Sequence, residues 1–193
     1  CVLFIVNVSG AYAQYFETKL QGYLPFERYG YGVAGGGDVN GDGVKDYIVG
    51  APSVDGGRAT IYSGTGAVIR NMAGTTSGDM FGRAALMVGD LNGDGKTDYL
   101  ISSPRSENCN TGTPPGFVTA YSGATGNALY TINGSENTDR YGERLAVIGD
   151  INGDGKNDFL VSEPWAIRQV QSYPCPAMKG RVEVRSGANG ALI

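Results

Sequence analysis

Short apolar runs closed by proline mark the chain at three places: YIVGAP at 47–52, YLISSP at 99–104 and FLVSEP at 159–164. Each has the length and bounding residues of a buried strand. Downstream of each lies an alternating stretch, GRATIYSG from Gly57, GFVTAYSG from Gly116 and GRVEVRSG from Gly180. Period-two alternation puts Ala59 with Ile61, Val118 with Ala120, and Val182 with Val184 on one face of a further strand. The turns SGTG, SGATG and SGANG then lead toward a last strand. Upstream, an aromatic–glycine pair (Tyr29-Gly30, Phe81-Gly82, Tyr141-Gly142) opens each unit, and a first strand runs into Gly37-Asp38, Gly89-Asp90 or Gly149-Asp150. Four strands recurring at intervals of 52 and 60 residues are the signature of propeller blades. The expected fold is all-β, with three β-propeller-type blades of four antiparallel strands at about 22–73, 74–133 and 134–193, following an apolar segment at 1–21.

The polar stretch between the first two strands of each unit is nearly invariant: DVNGDGVKD from Asp38, DLNGDGKTD from Asp90 and DINGDGKND from Asp150. Oxygen-bearing side chains fall at positions one, three, five and nine, and glycine falls at position six, where a tight loop needs positive φ. Calcium takes six to eight hard oxygen ligands, which a short loop supplies from alternate side chains and one main-chain carbonyl. The expected ligands of three Ca²⁺ sites are Asp38, Asn40, Asp42 and Asp46 with the Val44 carbonyl; Asp90, Asn92, Asp94 and Asp98 with that of Lys96; and Asp150, Asn152, Asp154 and Asp158 with that of Lys156. A helical EF-hand needs a bidentate Glu at position twelve. Here that position is Val49, Ile101 or Val161, so the loop joins strands. A polar hairpin turn without metal is the plainer reading, and three copies with a fourth oxygen donor in place weigh against it.

Composition narrows the chemistry. Glycine, at 32 of 193 residues, fits a chain of many turns. Of 19 acids, nine sit in the three loops, and three divalent ions would carry the formal charge from −4 to +2. No Lys/Arg run tracks a phosphate backbone, which argues against nucleic acid. There is no histidine, no G-x-S-x-G elbow and no GxxxxGK loop, so no catalytic constellation stands out and an enzyme is not expected.

The aromatic–Gly openings, the DxNxDGxxD loops and the ending Gly50-Ala51-Pro52, in that order, resemble the FG-GAP repeats of integrin-α-like β-propellers over residues 22–193. That resemblance implies that the loop between the first two strands of each blade binds Ca²⁺. Ser102-Ser103 and Ser162-Glu163 depart from Gly-Ala, Asn replaces the Asp common at position three, and three blades are fewer than the four to eight of a closed ring.

The connection after the second strand grows from blade to blade: Pro52 to Gly57, Pro104 to Gly116, Pro164 to Gly180. Enlarged loops on a fixed scaffold are where binding resides, which makes Arg105, Trp165, Arg168 and Tyr173 the candidates for ligand contact, against a reading as ordinary surface loops. Cys109 and Cys175 lie in these same loops and are expected to form a disulfide in an oxidising compartment, leaving Cys1 over. CVLFIVNVSGAYA at 1–13 reads either as the tail of a signal peptide cleaved after Ala13 or as a strand, and is too short to span a membrane. Asn7 and Asn133 stand in N-x-S sequons.

These features point to a secreted, extracellular or cell-surface calcium-binding structural or adhesive protein. It is expected to self-associate head to tail through its terminal strands, with Gln14–Gln21 in the place of a fourth strand, or to meet other extracellular proteins or glycans. The alternatives are a non-catalytic carbohydrate-binding module and a fragment of a longer propeller.

Overall fold

The computed structural model describes residues 19–105, 114–135, 140–166, 168–169 and 177–193. The first sheet runs in the order β1 (Val33–Gly37), β2 (Asp46–Ala51), β3 (Arg58–Tyr62), β4 (Val68–Ala73). The second repeats it with β5 (Ala85–Gly89), β6 (Asp98–Ser103), β7 (Phe117–Tyr121) and β8 (Ala128–Asn133). In the third, β9 (Leu145–Gly149) and β10 (Asp158–Glu163) pair with β13 (Arg181–Arg185), while β11 (Arg168–Gln169) and β12 (Ala177–Met178) form a small hairpin in the enlarged connection. The strand pairings within each sheet are antiparallel, so each sheet is an up-and-down blade, and no helix is present among the described residues.

Register irregularities recur with the repeat. The first strand slips one residue against the second between Gly35 and Gly37, between Met87 and Gly89, and beside Val147–Gly149. An extra residue of this kind bends a strand and re-aims the residues beyond it. Here it turns the chain into the acidic loop.

The core lies between sheets. Val39, Ile48 and Ile61 of the first blade pack with Phe81, Met87, Tyr99 and Ile101 of the second, and Leu91, Leu100 and Val118 of the second pack with Tyr141, Phe159 and Val161 of the third. Burying a side chain such as Leu100 contributes about 1.5–3 kcal/mol. The aromatic that opens the second or the third repeat therefore sits in the core shared by that repeat and the one before it. The glycine after it permits the close approach: Gly82 has φ +85°, and a Cβ there would overlap the Arg58 carbonyl of the preceding blade. Its N–H donates within its own blade, as Gly30 N–H does to the Gly50 carbonyl at 2.9 Å and Gly142 N–H to that of Ser162 at 3.0 Å.

Ala59, Ile61, Val118 and Ala120 are buried on the expected face. Val182 departs from the pattern at 59% exposure, because no further sheet among the described residues lies over the third blade. Ile151 does the same: its counterparts Val39 and Leu91 are 0% and 6% exposed, while Ile151 is 56% exposed. The last strand of blade three is reduced to one antiparallel bridge, Arg185 to Leu192, with Ile193 N–H donating to the Val184 carbonyl. Of the stretch expected to stand as a fourth strand, Lys19–Gln21 form none and residues 14–18 lie outside the described residues, as does the apolar segment 1–13.

Candidate functional site

Up-and-down ordering places the β1–β2 and β3–β4 connections at the same end of a blade, so the acidic loop and the Ser-Gly turn meet there. Asp46, at position nine, is the keystone of the first loop. Its Oδ2 accepts from the N–H groups of Val39 (2.7 Å) and Asn40 (3.3 Å), and its Oδ1 from that of Gly64 (3.1 Å). Asp98 does the same for Leu91, Asn92 and Gly123, and Asp158 for Ile151, Asn152 and Gly187. All three carboxylates are buried.

The exposed half of each loop is tied by the other oxygen donors. Asp38 Oδ1 accepts from Gly41 and Asp42 N–H, and Oδ2 from Gly43 N–H. Asn40 donates from Nδ2 to Asp42 Oδ2 at 2.9 Å while its Oδ1 accepts from Asp42 N–H. Asp42 Oδ1 accepts from Val44 N–H at 2.8 Å. The second and third loops reproduce every one of these bonds around Asp90, Asn92 and Asp94 and around Asp150, Asn152 and Asp154.

Charge states depend on these contacts. Desolvation pulls the Asp38 and Asp90 carboxyls up, but three backbone N–H donors apiece and a neighbouring lysine (Lys96, Lys156) outweigh it and hold both below the usual carboxylate range. Asp154 is held down chiefly by Asn152 and the Lys156 N–H. Asp98 moves the other way, because its desolvation exceeds the effect of its three N–H partners.

The donor set suits a hard cation: two carboxylates on the outer side of the loop, a carboxamide oxygen, a main-chain carbonyl and a buried carboxylate within nine residues. As they stand, the three carboxylates of a loop do not converge. Among the described residues no group of three or more acidic, His or Cys side chains is gathered as a metal cluster, since the ninth-position acid is turned onto backbone donors.

Ser122 and Ser186 join the site without having stood out in the sequence. Ser122 Oγ donates to Asp94 Oδ2 at 3.2 Å and Ser186 Oγ to Asp154 Oδ2 at 3.0 Å. The signal was present: Ser-Gly ends the third strand of every repeat, the serine meeting position five in the second and third loops and the glycine N–H meeting position nine in all three.

At the opposite end, Arg105 is engaged within the fold. It pairs with the buried Asp79 at 3.1 Å and covers the Phe117 ring at 5.2 Å. The Trp165 ring carries the Arg140 guanidinium at 3.7 Å on one face. Arg168 falls in β11. Tyr173, Cys109, Cys175 and Cys1 lie outside the described residues, and with them the expected disulfide.

The FG-GAP-like repeat matches residues 38–101, and the FG-GAP repeat matches 82–127 and 141–173, so that the matches take in all three loops. The chain belongs to the FG-GAP repeat family. Its blades are integrin-α-like: it is 30% identical over 164 residues to integrin alpha-PS2 of Drosophila melanogaster, covering 79% of this chain and 12% of that one. It is 31% identical over 144 residues to integrin alpha-V of Gallus gallus, covering 70% and 14%. This FG-GAP chain thus spans only 12% and 14% of the length of these relatives. Among solved structures it is similar to the rhamnogalacturonan lyase YesW, at 17% identity and a TM-score of 0.48, covering 85% of this chain and 33% of that one.

Proposed function

We propose that this FG-GAP segment is a calcium-stabilised, non-catalytic adhesive or structural module that works outside the cell. The observation that carries the reading is the threefold recurrence of one loop geometry at one end of the blades, with the same oxygen donors at positions one, three, five and nine. A cation held there would offset the repulsion among the loop acids, and binding to the native form alone adds to stability. Asp38, Asn40, Asp42, Asp46 and the Val44 carbonyl would hold the first ion, with the corresponding residues of loops two and three holding the others. Calorimetric titration and thermal melting test this: calcium should raise the melting temperature by several degrees or more, and excess chelator should reverse the gain. A melting curve indifferent to both sinks the calcium reading.

The open face of the third blade supports a second element of the proposal. Ile151 and Val182 are exposed where their counterparts are covered, so the partner that fits is another FG-GAP blade. Light scattering in calcium tests a second copy as its source. A dimer or longer assembly means that a second copy supplies the blade, and a monomer counts against that source.

A further inference from the structure

Lys96 is the seventh residue of the second loop, where its carbonyl is a proposed cation donor. Its side chain leaves that loop for the previous one: Nζ donates to the Asn40 carbonyl at 2.9 Å. Lys156 also crosses to the loop before its own, but to its first position rather than its third, donating to the Asp90 carbonyl at 2.8 Å. Neighbouring residues fix both reaches. Thr97 N–H donates to the Asp38 carbonyl at 2.9 Å and its Oγ1 accepts from Asp38 N–H at 3.0 Å, while Asn157 Nδ2 donates to the Val88 carbonyl at 2.9 Å. Gly41, at position four of the first loop, lies directly under the Lys96 amine, and any side chain there would occupy the amine's place. The amine is thus anchored over an acidic loop that is not its own.

Building on the calcium reading, we infer that Lys96 and Lys156 are resident cations for the loop preceding their own, standing in for metal when it is absent and weakening its binding when it is present. A loop with three carboxylates repels itself, and one ammonium held on a main-chain carbonyl of that loop relieves part of that repulsion through space without filling the cation's place. When a divalent ion enters, the same ammonium opposes it. At separations of several Å under surface screening, one opposing unit charge changes the affinity of a divalent ion by roughly three- to tenfold. The lysines thereby set two quantities against each other, the stability of the metal-free blades and the affinity of the first two loops.

The test uses an Asp94→Ala, Asp154→Ala background, which leaves loop one as the site, and compares Lys96, Lys96→Gln, Lys96→Met and Lys96→Arg by calcium calorimetry and by melting in excess chelator. The expected result is calcium binding about three- to tenfold tighter in both neutral variants, unchanged in Lys96→Arg, with a lower melting temperature in chelator for the neutral variants alone. Lys156→Gln in an Asp42→Ala, Asp154→Ala background reports the same relationship for loop two. Unchanged or weaker calcium binding in the neutral variants, with the parent binding calcium normally, overturns the inference and leaves the calcium reading intact. Failure of the unmutated protein to bind calcium at all overturns both.

Discussion

Arg83 and Glu143 occupy the same position of successive repeats, one residue after the aromatic–Gly pair, and their side chains form an ion pair between blades, at 6% and 14% exposure. The third member of the series, Tyr31, lies under the Arg83 guanidinium at 4.1 Å. One repeat position thus becomes a column of tyrosine, arginine and glutamate that joins three blades. Removing one partner of a buried pair strands the other charge. Glu143→Ala should cost about 3 kcal/mol in denaturant unfolding, and an Arg83→Met, Glu143→Leu double variant should recover most of it. A loss below about 1 kcal/mol in the single variant would mean that the pair is solvated.

The loop acids divide into two kinds, and substitution should separate them. Asp98 is buried and satisfies three backbone N–H groups, so Asp98→Ala leaves those donors unpaired whatever the metal content. It should lower the melting temperature in calcium and in chelator alike. Asp94 is on the exposed side of the loop, so Asp94→Ala should act mainly in calcium. Equal effects of the two variants in chelator would contradict this division.

Two glycines with the same φ give a sharper test of the interblade approach. Gly30 and Gly82 both have φ +85°, but nothing lies within 4 Å of a Cβ at Gly30, whereas one at Gly82 meets the backbone of Arg58 and Gly50. Gly30→Ala should cost about 1–2 kcal/mol for the left-handed backbone alone. Gly82→Ala should cost clearly more, and stability curves of the two variants check it.

Alkaline pH should unfold the protein from its tyrosines. Burial raises the hydroxyls of Tyr99, Tyr121, Tyr130 and Tyr141 above their ordinary value, so the folded state favours the neutral form. Their contribution to stability is complete below an unfolded value of about 10 and is lost as pH climbs from there toward the folded values. The share of tyrosinate absorbance that these four contribute should rise in one step with loss of tertiary structure. Gradual ionisation near pH 10 in a protein that stays folded would count against it.

Much of the fold is legible in the residues because the repeat itself carries the information. Ala59, Ile61, Val118 and Ala120 are inward by simple alternation, and the glycine of the sixth loop position takes positive φ in all three copies, Gly43, Gly95 and Gly155. Alternation cannot reveal which neighbour covers a face, so Val182, identical in pattern to Val118, is exposed. The ninth-position acids read only as ligands in the sequence, because spacing shows an oxygen and not the N–H groups that claim it. Ser122 and Ser186 escape notice for a related reason: their partners come near only when the turn after the third strand closes over the loop. Arg105 looks free in the sequence because Asp79, its partner, lies 26 residues away.

Phe81 begins the second repeat by sequence, yet its backbone bridges Gly57 of the first and its ring sits in the core that the two share. The unit that holds together is therefore offset from the unit that repeats. A cut placed at the motif boundary, just ahead of an aromatic–Gly pair, takes away the plug of the blade left behind. A cut placed a few residues after that pair leaves each blade with its own lid. Native swaps or grafts of blades between such proteins would keep their cores intact only along the second kind of seam. The middle blade is also the best covered of the three, since its first strand β5 is buried or half-buried throughout while the equivalent β1 and β9 each carry exposed positions.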